Sequence, residues 1–417
     1  MEYDSVQKIN SCRICNSSSL IDFLSFGNLP IPNSFIKRDE LDKKENLYPL
    51  TVCLCNSCKL VQLRYVVNPQ IMFDNYLYIP SSSQTRLRHF KDLAIKTKQL
   101  INLTKPALIV DIGSNDGSLL NCFKNLGFDV VGVDPAENLV RIAKFNGIET
   151  FLGYFNTTIA RKIVKKNKRA SVITSTNVVA HVANLHEFLR GIELLLDDDG
   201  IFICQFPYLL DLLEKRQFDT IYHEHLSYFS LKPLQILAEG SKLQIFDIER
   251  NDLDGGSIRV YWKKKSNKTL EVKSKKIALF LEKEKRSGIY DLQRYRQFSQ
   301  SVKKLRDSIR KILRNIKKAN KKIVGYGAAA KGNILLNYCK IGKETISYVV
   351  DSTSYKQGLF LPGLHIPIFE EARLYEDKPD YVIILAWNFA EEILEKNKKF
   401  KKIGGKFILP IPEVVII

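Results

Sequence analysis

The sequence predicts an α/β protein in three parts: a small metal-bound unit at the N terminus, a central doubly wound domain, and a second Rossmann-like α/β domain at the C terminus. Three observations carry this reading. Two CxxC pairs lie before residue 60; apolar strands alternate with one-faced helices from residue 107; and after a long helix the same alternation restarts near residue 322. A parallel sheet covered on both faces produces that pattern. Domains are expected at 1–75, 76–245 and 246–417.

In the first unit, Cys12/Cys15 and Cys55/Cys58 each offer two thiolates from one turn, the spacing of a tetrahedral zinc site. Zinc outranks disulfides in a chain that opens without a basic, apolar leader. Cys53 lies in an alternating stretch, PLTVCLC, and is expected to be spare; Cys122, Cys204 and Cys339 are isolated and expected in the core. So small a unit needs its metal to fold.

The central domain opens with a helix over 84–102, on which Leu87, Phe90, Ala94 and Ile101 recur at helical spacing. ALIVDIG, DVVGVD, ASVITST and GIFICQF then read as buried strands, with SLLNCFKNLG and ENLVRIAKFNG as helices between them. VDIGSNDGSLL places Asp111, Gly113 and Gly117 at the end of the first strand, and Asp134 ends the second. GSNDG is not the GxGxxG of a dinucleotide site. An acid before the first glycine suits S-adenosylmethionine, whose ammonium is held by loop carbonyls and acids. Asp134 is placed to hold ribose hydroxyls.

IYHEHLSYF, residues 221–229, gathers Tyr222, His223, Glu224, His225 and Tyr228 in a stretch that otherwise reads as interior. Buried charge is costly unless paired, so this is a satisfied polar cluster or a reaction site. In a regular strand Glu224 and His225 would face opposite sides, so a turn is expected here unless only one of them faces the substrate.

Past residue 290, Leu292, Tyr295, Phe298, Val302, Leu305, Ile309, Ile312 and Ile316 form one stripe of a long helix, expected to pack between domains rather than as a coiled coil. KIVGYG, KGNILLNYCK, TISYVVD, PDYVIILAWN and KFILPIP build the second α/β series. Its loop GYGAAAKG, with Lys331 at the helix start, offers backbone amides and a cation to a diphosphate. Asp351, Lys356, His365, Trp387 and Asn388 are the neighbours expected around a nucleotide there.

The net charge is +19, from 64 basic and 45 acidic side chains. The lysines are scattered rather than set beside aromatics, which fits a solvated surface and an anionic small substrate better than nucleic acid. No apolar run approaches the roughly 18 residues of a membrane helix. A cytoplasmic monomer with no membrane and no nucleic-acid partner is expected.

Taken in order, CRIC, CNSC, YLYIPSSS, DIGSNDGSLL, VDPAEN, NVVAHV, FDTIYHEHLSYFSL, GGSIRVY, GYGAAAKGNILLN, LPGLHIPI and LAWN resemble the zinc-containing, S-adenosylmethionine-dependent C-methyltransferases of 4-keto-6-deoxy nucleotide sugars, over nearly the whole chain. The resemblance implies that a base removes the proton beside the C4 ketone and that the resulting enolate carbon takes the methyl group, with C3 as the expected position. His225 is the expected base. Glu224 and Tyr222 are expected to hold substrate oxygens or the imidazole, Tyr76 to close the pocket, and His181 to orient the substrate; His223 is expected to be structural. Cofactor contacts are expected at Asp111, Gly113, Asn115, Asp116, Asp134, Pro135 and Asn177. Contacts to the nucleotide-diphosphate sugar are expected at Tyr78, Ser81, Ser257, Arg259, Lys331, Asn333, Asp351, Lys356, His365, Trp387 and Asn388. Zinc is structural, because four thiolates leave no open position. Asp254 stands where the family pattern has histidine, and Gln205 where it has glutamate. A nucleic-acid methyltransferase would leave the second α/β domain without a task, and a non-catalytic binding module would not need the Tyr222, Glu224, His225 and His181 set.

Overall fold

The computed structural model describes residues 5–74, 76–104 and 106–417. In the N-terminal unit, Leu20–Leu29, Tyr48–Cys55 and Val61–Leu63 form an antiparallel sheet, and the two cysteine turns lie beside it. Its fourth strand comes from far along the chain: Ser227–Tyr228 pairs with Val61–Leu63. Leu63 N donates to Leu226 O at 2.9 Å, and Arg13 Nη1 donates to Leu63 O and Leu226 O, each at 3.1 Å. The zinc unit therefore braces the segment that carries Glu224 and His225.

The central sheet has seven strands in the order Leu243–Asn251, Ser257–Lys264, Leu196–Pro207, Ala170–Thr176, Leu108–Ile112, Asp129–Asp134 and Thr150–Leu152. The last five are mutually parallel, and every residue of Leu108–Ile112 is buried, as expected for a strand covered on both faces. The first two run antiparallel at one edge, and Ser257–Lys264 lies past the boundary expected at 245. GGSIRVY reads locally as a strand of either domain; only its pairing with Leu196–Pro207 assigns it to this sheet. The helix over 84–102 is Gln84–Leu100, capped where the Ser83 side chain accepts from Arg86 N at 3.3 Å.

The long helix is Leu292–Lys318, and Tyr295, Phe298, Val302, Leu305, Ile309, Leu313 and Ile316 line its buried face. Leu313 takes the core position expected of Ile312, which is only partly buried, because the stripe drifts around a helix of 3.6 residues per turn. It packs between domains: Tyr295 meets Phe23 of the zinc unit at 4.8 Å between ring centres, and Arg306 lies 5.5 Å from the Tyr338 ring of Ala330–Cys339. A separate helix, Ser274–Arg286, precedes it. The C-terminal sheet is parallel across Ile368–Phe369, Val349–Val350, Ile323–Tyr326, Tyr381–Ile384 and Lys406–Leu409, with Val415–Ile416 antiparallel at its edge. Among the described residues no helix is long and apolar enough to cross a membrane.

Candidate active site

The thiols of Cys12, Cys15, Cys55 and Cys58 lie within 4.8 Å of one another, with Cys12 and Cys58 at 3.4 Å and Cys15 and Cys55 at 3.5 Å. Zinc–sulfur bonds of about 2.3 Å set tetrahedral edges near 3.8 Å, so the cluster fits the ion. Cys53 points away, its thiol 3.4 Å from Gln62 O.

At the switch point of the central sheet, between Leu108–Ile112 and Ala170–Thr176, Thr174 Oγ1 donates to Asp111 Oδ1 at 2.6 Å. Asp134 accepts from Asn115 N at 2.8 Å and from Ala136 N at 2.9 Å, tying the GSNDG loop to the second strand end. Burial pushes the Asp111 carboxyl up to about 7 and that of Asp134 up to about 6, and neither has a Lys or Arg partner among the described residues. Two buried acids without a cation suit a ligand that brings positive charge. Gly113 has φ +70°, and a Cβ there would lie 2.3 Å from Val178 Cγ2, so only glycine fits. Asn115 and Asn177 also adopt positive φ, and Ser114 Oγ and Asn177 Oδ1 are buried without partners. These features fit S-adenosylmethionine. Asp116 accepts from Ser118 N at 3.1 Å, at the start of the next helix, and from Ser81 N at 3.3 Å. Pro135 is half-buried and precedes Ala136.

The expected turn is present at 222–225, closed by His225 N donating to Tyr222 O at 2.9 Å, and it lets both side chains face inward. His225 Nδ1 lies 2.7 Å from Thr220 O. A carbonyl only accepts, so Nδ1 carries the proton and Nε2 is left as a basic lone pair. Burial, with Lys331 nearby, pushes this imidazole down to about 4 and keeps it neutral. Glu224 accepts from Tyr76 OH at 2.9 Å and from Asn33 Nδ2 at 2.7 Å, while burial pushes its carboxyl up to about 7. The His225 ring centre lies 4.0 Å from Tyr222 and 5.0 Å from His181, which itself stacks on Phe73. His181 Nε2 and Tyr78 OH are buried without partners, which a polar ligand would satisfy. His223 Nε2 lies 3.1 Å from Tyr48 O of the zinc unit.

Lys331 of the C-terminal domain lies near His225. Lys331 Nζ donates to Asp254 O at 3.1 Å and sits 4.7 Å above the Trp387 ring, and Trp387 Nε1 donates to Asp219 at 2.6 Å. Asp254 takes two hydrogen bonds from Arg86, at 2.7 and 3.1 Å, and one from Asn177 at 2.9 Å. Burial would raise its carboxyl, but Arg86 and Lys331 hold it far below the ordinary range. Asp351 and Lys356 shape the GYGAAAKG loop, accepting from Ala328 N at 2.6 Å and donating to Ala328 O at 2.9 Å respectively. Asn388, half-buried, follows Trp387, and Asn333 Nδ2 donates to Pro32 O at 3.1 Å.

The remaining expected residues have neighbours of their own. His365 bonds Glu45 at 2.6 Å; Ser257 Oγ donates to Leu253 O at 2.9 Å; and Arg259 donates to Gln205 Oε1 from two nitrogens, at 2.9 and 3.1 Å. Sequence reasoning missed Asn33, Arg86, Asp219 and Thr220. Asp219 and Thr220 lie in the quoted FDTIYHEH stretch, but nothing in PIPNSF marks Asn33.

Residues 12–73 match a family described as "Putative zinc binding domain", 85–246 one described as "Methyltransferase domain", and 252–412 one described as "C-methyltransferase C-terminal domain". The C-methyltransferase NovU of Streptomyces niveus is 37% identical over 414 residues, covering 99% of this chain and 98% of that protein. A ubiquinone biosynthesis O-methyltransferase of Bartonella quintana is 33% identical over 94 residues, 22% of this chain and 38% of that one. The PH0226 protein of Pyrococcus horikoshii aligns over 44% of this chain and 92% of its own, with a TM-score of 0.36 and 18% identity. With a cysteine cluster fit for zinc, a cofactor loop and a C-terminal domain in that order, the chain belongs to the S-adenosylmethionine-dependent C-methyltransferases that share NovU's full length.

Proposed function

We propose that the protein methylates a carbon, C3, of a nucleotide-linked 4-keto-6-deoxysugar by way of an enolate. The observation that carries this is His225, whose Nδ1–H is tied to Thr220 O at 2.7 Å, leaving Nε2 unprotonated in a cluster with Tyr222 and His181 and near Lys331 of the C-terminal domain. Carbon beside a ketone becomes nucleophilic only on losing a proton, and a positioned neutral imidazole is suited to remove it. S-adenosylmethionine, when bound, supplies the electrophilic methyl group. Asp111, Gly113 and Asn115 would hold that cofactor, with Asp134 reserved for its ribose.

His225 Nε2 takes the C3 proton and becomes imidazolium, stabilised by the Thr220 carbonyl on its other nitrogen. His181 and Tyr78, each with a buried polar atom lacking a partner, are placed to receive the substrate's oxygens, including the developing enolate. Glu224, held by Tyr76 and Asn33, accepts a sugar hydroxyl when ionised. Lys331, drawn from Asp254 O, would meet the diphosphate. The test is to offer S-adenosylmethionine with a panel of keto sugar nucleotides and to follow products by mass spectrometry. Gain of one CH2, located at C3 by NMR, supports the reading; methylation at oxygen, or of none of the panel, refutes it.

A further inference from the structure

We propose that Asn33, carried by the zinc-bound unit, is a positioning residue for Glu224, so that the metal unit sets the aim of an active-site carboxylate. Asn33 Nδ2 donates to Glu224 Oε1 at 2.7 Å while Tyr76 OH donates to Oε2 at 2.9 Å, so each carboxylate oxygen has one fixed donor. With both oxygens held, the carboxylate plane cannot rotate without breaking a charge-assisted bond.

The donor is itself immobilised. Pro30, Ile31 and Pro32 precede it and are buried, and two prolines fix two of the backbone angles in the approach. Ser34 N donates to Ile31 O at 3.1 Å, and Ile36 N donates to Phe360 O at 3.0 Å. Asn333 of the C-terminal domain grips Pro32 O at 3.1 Å. On the far side of Glu224, Ser227–Tyr228 is a strand of the zinc unit's own sheet. The carboxylate thus hangs between two attachments to the same metal-held unit, one of which the nucleotide-side domain also touches. A side chain that merely filled space would not need an amide aimed at a buried acid with no Lys or Arg partner among the described residues.

The inference rests on Glu224 facing the substrate, as proposed above, but its test does not. Full-length zinc-loaded protein is labelled with carbon-13 at glutamate Cδ, and the Glu224 signal, assigned by its absence in Glu224→Gln, is titrated in wild type, Asn33→Ala and Asn33→Ser. Tyr76 and Asn33 bond this carboxyl, and Tyr222 is the further titratable group that feels its charge. Loss of a donor to the ionised form moves the titration to higher pH. Serine is too short to reach, so both variants are expected to shift upward while keeping one zinc per chain. With a keto sugar nucleotide that the wild type methylates, kcat is expected to fall about tenfold to a hundredfold, with cofactor Kd unchanged within about twofold. A Glu224 titration unmoved in a zinc-loaded variant overturns the proposal, and so does loss of zinc or fold in both variants. Failure of the wild type to methylate any such substrate overturns the proposed function instead and leaves the titration to decide this point.

Discussion

Replacing Asp254 by Asn removes one charge from the buried Arg86–Asp254 ion pair while changing little else. Asp254 sits at φ 59°, a backbone region asparagine adopts at least as readily, so the loop is not strained by the exchange. The carboxylate is 8% exposed and Arg86 5%, and Arg86 donates to both of its oxygens. Breaking a buried pair from one side costs about 3–5 kcal/mol, because the remaining charge stays buried. Asparagine keeps one acceptor, which favours the lower end, about 3 kcal/mol. In a domain of 150–250 residues that corresponds to about 6–12 °C in the melting temperature. The carboxyl is held below its unfolded value near 4, so its contribution is complete above that pH and is lost only in strong acid. The deficit should therefore be constant between about pH 5 and 9. Scanning calorimetry measures it, and adding Arg86→Met, which removes the stranded cation, should recover at least half. A variant melting within about 1 °C of wild type, or one made worse by Arg86→Met, would refute the reasoning.

Glu224→Gln should stabilise the fold while abolishing turnover. Burial raises this carboxyl to about 7, so the wild type loses stability as pH rises from about 4 to 7 and charge enters the site; the gain should be about 1–3 kcal/mol at pH 8 and near zero at pH 4. Cys53→Ser should retain one zinc by elemental analysis, whereas Cys55→Ser should lose it, since only Cys55 belongs to the four-thiol cluster. Gly113→Ala should weaken cofactor binding at least about tenfold by calorimetric titration, because its Cβ would lie 2.3 Å from Val178 in a left-handed turn.

Features set by local chemistry were legible in the sequence. The CxxC spacing points to the four thiols found together; GSNDG marks a ligand loop, but not the bonds by which Asp134 ties it to the second strand end. The conflict between strand geometry and the adjacent Glu224 and His225 leaves either a turn or only one residue facing inward, and the structure has the turn at 222–225 with both side chains buried. Long-range contacts were not legible. Asn33 reaches Glu224 across 191 positions, and Arg86 reaches Asp254 across 168; no periodicity records such a meeting. The helix start marks Lys331 as a cation for a phosphate, but its contacts with Asp254 O and the Trp387 ring, from distant parts of the chain, leave no mark in the sequence. The bonds of Ser257 to Leu253 O and of Arg259 to Gln205 Oε1 are likewise set by strand pairing and leave no mark in the GGSIRVY motif.

Proton removal can be watched without methyl transfer. A keto sugar nucleotide that the protein methylates is incubated with enzyme and S-adenosylhomocysteine in deuterium oxide, and the C3 proton is followed by NMR. Wild type should wash that proton out at a rate at least equal to turnover. His225→Asn, which should still bind the cofactor, should slow the exchange by about a hundredfold or more. Exchange at the wild-type rate in that variant would contradict the assignment of His225 Nε2 as the base.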